Sequence, residues 1–224
     1  MPNVTTFAPN NQNGHVSADN RSTWAACNDA NPGDAVDLGA EIPAFQAAKI
    51  SDTSWYIRRY ASAHDLTIPA TGSAIPAGAN ITAVTLQLWL RAPAGADATS
   101  AEIVAFSQVS YASLAVGDFN SAGATSFASR LLSDTPAGAG GYLTFTFNAA
   151  GRADLKAALG GKYYLAGRNS LELGGNGTPP TSNNYVYTQT VASANPPILT
   201  VTWTVPGGDG GATQRKQGAL LRLP

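Results

Sequence analysis

The stretch ITAVTLQLWLR at residues 81–91 restricts what this chain can fold into more than any other segment. Val84, Leu86, Leu88 and Leu90 alternate with Thr85, Gln87 and Trp89. A period of two held over that length is the pattern of a β-strand with one face in a core. Trp89 is out of phase with the leucines and belongs to the other face. The IPAGAN segment ahead of it, with Pro76 and Gly78, reads as the turn that leads into the strand. The pattern predicts a sheet protein and carries no chemistry of its own.

Further strands are read at His15–Ala18, at Ser54–Ser62 (SWYIRRYAS), at Ala101–Val109, at Tyr142–Phe147 with Leu143, Phe145 and Phe147 inward, at Tyr163–Gly167, at Leu171–Leu173, at Tyr185–Val191 and at Ile198–Val205. Residues 28–44 read as a long surface loop, and 110–135 as irregular chain anchored by Phe119 and Phe127. NAAGRADLKAAL predicts the single helix, near 149–159. Asn148 is its N-cap, Leu155 and Leu159 share a face, and Gly160–Gly161 stop it. The expected fold is all-β, a two-sheet antiparallel sandwich of jelly-roll type with that one short helix. The expected organisation is an N-terminal arm (1–14), a sandwich domain (15–206) and, beyond Pro206, a flexible linker with a C-terminal docking peptide (207–224).

That last segment opens with GGDGGATQ, a linker by composition, and ends in RKQGALLRLP. Leucines beyond such a linker have no core to join. Arg215, Lys216, Leu220, Leu221, Arg222 and Leu223 are therefore read as a peptide that docks on a partner. In the whole chain only 12% of residues are charged and the net charge is −1. Phosphate neutralisation needs a basic surface, so nucleic acid is excluded as a partner. No apolar run reaches the roughly 18 residues of a membrane helix. Cys27 is the only cysteine, so the fold stands without an internal disulfide. The opening MPNVTTFAPNNQNG has neither a basic start nor an apolar run, so a cleaved secretory signal is not expected.

Read in order, WYIRRY, IPAGANITAVTLQLWL, SLAVGDFNSAG, YLTFTFNAAGRADL, YYLAGRNSLELGG and PPILTVTWT resemble the DNRLRE-type domain. That domain is a jelly-roll β-sandwich related to carbohydrate-binding modules. The chain is also similar in layout to sandwich proteins among tailed-phage virion proteins. The resemblance covers roughly residues 50–205. It implies a module that works outside cells by binding or packing.

Catalytic signals are few. His64 and Asp65 are adjacent, and neighbours on a strand point to opposite faces, so they do not make two members of a triad. No HExxH, P-loop or GxSxG pattern occurs. Asp118 with Asn120, and Asp19 with Asn20, are the pairs that would offer oxygen to a structural calcium ion, although Asx residues more commonly bond their own turns. No other cofactor is implied. Candidate rings for stacking on a glycan are Tyr56, Tyr60, Trp89, Tyr185 and Tyr187. The expectation is a non-enzymatic phage virion surface protein, a capsid decoration or fibre-associated subunit. It would be made in the host cytoplasm, partnered by other virion proteins or copies of itself, and able to adhere to cell-surface glycan. An exported carbohydrate-binding module is the second reading, and a polysaccharide-degrading enzyme the third.

Overall fold

A computed structural model describes residues 1–95, 97–173 and 177–206. The docking residues Arg215, Lys216, Leu220, Leu221, Arg222 and Leu223 lie outside the described residues. The strands are β1 (Asn3–Phe7), β2 (Gly14–Arg21), β3 (Ala35–Asp37), β4 (Glu41–Ser51), β5 (Ser54–Asp65), β6 (Asn80–Ala94), β7 (Ser100–Phe106), β8 (Ala122–Leu131), β9 (Gly141–Thr146), β10 (Lys162–Asn169), β11 (Asn183–Gln189) and β12 (Ile198–Thr204). Helices α1 (Trp24–Asn28) and α2 (Ala149–Ala157) and three 3-10 turns complete the described elements. The all-β expectation holds. The strands form one antiparallel sheet curled into a half-barrel, with the path β1-β12-β6-β11-β4-β5-β10-β7-β8.

Two long strands make the curl. On one edge β6 pairs with β12 through its first half and with β11 through its second, while β9 lies along the other edge. β5 likewise pairs with β4, β10 and β2. Bulges bend the sheet at these junctions: Phe45 and Ala92 take φ of 52° and 50°, and the β11 registers with β4 and β6 slip there.

Inside the curl lies the main core. Val84, Leu86, Leu88 and Leu90 are fully buried, as their alternation predicts, and meet Phe145, Phe147, Val186, Leu199 and Val201. Phe45 stacks between Tyr60 and Phe145, with centroids 5.8 and 6.2 Å away. Gly167 on β10 permits this stack, because a Cβ there would stand 2.2 Å from the Phe45 ring. Gly167→Ala is therefore expected to cost about 1–3 kcal/mol by overpacking. A urea midpoint equal to that of the parent would show that Phe45 swings aside freely. Helix α2 closes one side with Leu155, capped by Asn148, whose Oδ1 accepts from the Gly151 N–H at 3.0 Å.

Four readings need correction. Residues 1–14 are not a free arm: β1 pairs with β12 from Asn3↔Trp203 to Phe7↔Leu199, and Thr5 and Phe7 point inward. The 110–135 stretch carries β8, and the 28–44 stretch carries β3 and the start of β4. Residues 170–172 form a 3-10 turn rather than a strand. Phe119 and Phe127 are buried anchors, as expected.

A second layer covers the outer side of β2 and β5. Trp24 and Cys27 from α1, Ala30 and Phe119 pack on Val16, Ala18, Ala47 and Ile57. Burial, reinforced by the nearby Glu172 and Asp19 carboxylates, pushes the Cys27 thiol up to about 12, so it stays protonated and unreactive. Among the described residues, no helix is long and apolar enough to cross a membrane.

Candidate functional site

The side chains of β6, β9 and β11 that alternate with the core residues turn away from the half-barrel interior. On β9 and β6 these include Tyr142 and Trp89, which are cross-strand partners. Their rings meet edge to face at 5.3 Å. On β11 they are Tyr185 and Tyr187, two residues apart and edge to face at 5.4 Å. Arg91 follows Trp89 by two residues on β6. It sits opposite Tyr187 in the β6–β11 register, with its guanidinium 5.2 Å from the ring centroid, and pairs with Glu41 of β4. Gln189, opposite Glu41, and Gln87, opposite Thr144, add amides to the same face.

Each ring is held. The Tyr142 hydroxyl donates to the Pro196 carbonyl at 3.1 Å. Trp89 is half-buried under the turn before β9. There Gly140, at φ 93°, lets the backbone come close enough that a Cβ would lie 3.0 Å from the indole nitrogen. The Glu41 hydrogen bond raises the Arg91 pKa further, so the guanidinium is permanently charged. Partial burial raises the Tyr185 phenol, which stays protonated at neutral pH. Aromatic faces flanked by a fixed ion pair and amides suit contact with a surface that is apolar in patches and hydroxylated elsewhere.

The sequence candidates therefore divide. Trp89, Tyr185 and Tyr187 come together on one face. Tyr60 does not belong with them: it is fully buried in the core, and its hydroxyl accepts from Asn13 Nδ2 at 2.8 Å. Tyr56 is half-buried on β5, opposite Ala48 of β4, with no ring partner among the described residues. Tyr142, Arg91 and Glu41 were missed. Tyr142 was available from phase alone, because it alternates with Leu143 and Phe145 as Trp89 does with the leucines.

The oxygen-rich pairs are engaged locally. Asp118 accepts from the backbone N–H groups of Val109 and Ala115 at 3.0 and 2.9 Å. Asp19 accepts from Ser17, and Asn20 from Ser54. Among the described residues no three His, Cys, Asp or Glu side chains cluster as a metal site would require.

The densest polar cluster is buried. Arg59 of the RRY pair reaches Glu172 of RNSLE at 2.6 Å, and its guanidinium also donates to Phe119 O, Asn28 O and Asn28 Oδ1 at 2.7–3.0 Å. It lies 4.0 Å from the Phe119 ring centroid. Arg168 reaches the same carboxylate at 3.4 Å and donates to the carbonyls of Gly123 and Glu172. Burial lowers the Arg59 pKa and Glu172 opposes that. The groups satisfy one another, so the cluster joins β5, β10, α1 and the 116–121 turn and presents nothing to solvent.

No protein-family model matches the chain, and no curated protein matches it.

Proposed function

We propose that the chain is a non-enzymatic phage virion surface protein, a capsid decoration or fibre-associated subunit, that acts by packing and docking. In this reading the Trp89–Tyr142–Arg91–Tyr187–Tyr185 face is a glycan-adhesion surface. The curled sheet is a jelly-roll variant in which β6 and β5 run from one layer of a two-sheet sandwich into the other. The observation that carries the reading is the aromatic face itself: four rings and an ion pair, fixed by neighbours, turned away from the core. The sparse surface charge supports assembly against neighbouring subunits, and the resemblance to virion sandwich proteins supplies the setting. The same face would serve an exported carbohydrate-binding module, so two measurements are needed.

Mass spectrometry of density-banded particles from a phage that encodes the chain should recover it at stoichiometric level; absence from the particles would overturn the virion assignment. On a glycan array, the purified chain should retain at least one glycan family, and Tyr187→Ala should weaken that binding at least about ten-fold, roughly 1.4 kcal/mol, at little cost in melting temperature. An array without signal would remove the adhesion role. Turnover of any arrayed oligosaccharide would turn the reading towards an enzyme.

A further inference from the structure

A separate cavity of about 380 Å³ opens between the turn at Asn10–Gln12 and the turn at Ser110–Ser113. Asn10, Asn11, Gln12, Tyr111 and Ala112 line it. We propose that it is a second binding site, for a neutral saccharide unit.

The walls are tied before any ligand arrives. The Asn10 side-chain amide donates to the Tyr111 carbonyl, and Gln12 Oε1 accepts from the Leu114 N–H at 3.2 Å. Tyr111 is held from two directions: Tyr164 meets its ring at 6.3 Å, inclined by 71°, and the Lys162 ammonium lies 4.5 Å from its centroid. A ring fixed in this way gives up little rotamer freedom on binding. Two donors remain unspent. Gln12 Nε2 and the whole Asn11 amide make no hydrogen bond to any described residue.

The lining selects the ligand class. An amide both donates and accepts, as a sugar hydroxyl does. A tyrosine ring offers an apolar surface to the C–H face of a pyranose. No lining residue is charged, and the Lys162 ammonium over the Tyr111 ring is paired with Asp65. Among the described residues the site therefore has no free cation to hold a phosphate or a carboxylate. The volume lies at the lower end of the range for small-molecule sites, about 300–1,000 Å³.

This site is independent of the aromatic face on β6, β9 and β11, and the test separates the two. The isotope-labelled full chain is titrated with neutral tetrasaccharides of β-glucan, α-glucan, chitin and galactan, and in a parallel arm with sialyl-lactose and inorganic phosphate. The side-chain amide resonances of Asn11 and Gln12 should shift with at least one neutral sugar. Tyr111→Ala and Asn11→Ala should each weaken that binding five-fold or more, while Tyr187→Ala leaves it unchanged. Asn11 is exposed and its side chain bonds no described residue, so Asn11→Ala reports on binding even where Tyr111→Ala loosens the turn. Silence of these resonances to every neutral sugar, or a response confined to the acidic arm, would overturn the proposal. Loss of the shift on Tyr187→Ala would assign the binding to the other face.

Discussion

Glu172→Leu is expected to lower the unfolding free energy by about 3–5 kcal/mol. Two guanidiniums, those of Arg59 and Arg168, share that one carboxylate, and Arg59 and Glu172 are each only 1% exposed. Without the carboxylate, two cations stay in a site that water does not reach. Their remaining acceptors, Phe119 O, Asn28 and Gly123 O, are neutral. The loss extends beyond the ion pair. Glu172 Oε1 also accepts the Asn169 N–H at 2.8 Å and caps the 170–172 turn. For a domain of this size the melting temperature should fall by roughly 10 °C. Combining Glu172→Leu with Arg59→Met should recover part of the deficit, because the stranded charge is removed with its partner. A single substitution costing under about 1 kcal/mol would show that water reaches the cluster and that its burial is not what holds α1 and the 116–121 turn on the sheet.

This cluster also shows where reading the chain stops. WYIRRY and RNSLE both stand out in the sequence, but 113 residues separate Arg59 from Glu172. Nothing in either segment says that they meet. Alternation reports which face a residue occupies and is silent on what lies across from it. That is why the leucine row of β6, with Phe145 of β9 and Phe147 just after it, was legible, and why Trp89 was correctly placed opposite them. It is also why Arg91 went unread: its meaning lies in Tyr187 and Glu41, which reach it only through the β6–β11–β4 pairing. β1 hid for a different reason. As an outer strand with β12 as its one ladder partner, it buries only Thr5 and Phe7, too few apolar positions to mark a strand. β8 is mostly Ala, Gly, Ser and Thr, with shifts in register, so neither composition nor period betrays it. The curl follows from β5 and β6 each pairing with three neighbours, which is a property of pairing and not of local sequence. Tyr60 was misplaced for the converse reason: an aromatic strand looks alike whether its rings face a core or a ligand.

Stability should fall steeply as the pH drops from about 6.5 to about 5, ahead of the ordinary carboxylate pKa values near 4. His64 is fully buried on β5 beneath the Phe7–Asn10 crossing, where the backbone of Pro9 bridges to it. Burial lowers its pKa from 6.5 to about 4. His15 on β2 is lowered to about 4 as well, by burial first and by the nearby Arg58 second, with Asp37 opposing. The unfolded chain takes up these protons near 6.5, and the folded chain takes them up only near 4. Between the two values the unfolded state holds more protons, so stability rises with pH across that window. The contribution is complete above 6.5 and is lost as pH falls through 4. Each histidine accounts for about 3 kcal/mol at most. Asp97 lies outside this window. Hydrogen bonds from Thr181, Ser182 and Asn184 outweigh its desolvation and hold it at about 2, so its contribution is lost only below the ordinary carboxylate range. Urea midpoints measured between pH 7.5 and 5 report the histidines ahead of the ordinary carboxylates. His64→Leu, which keeps the volume and removes the ionisable ring, should leave about half of the parent's dependence. Equal midpoints at pH 7 and 5 for the parent would mean that the Phe7–Asn10 segment opens easily enough for His64 to take up its proton in the folded protein.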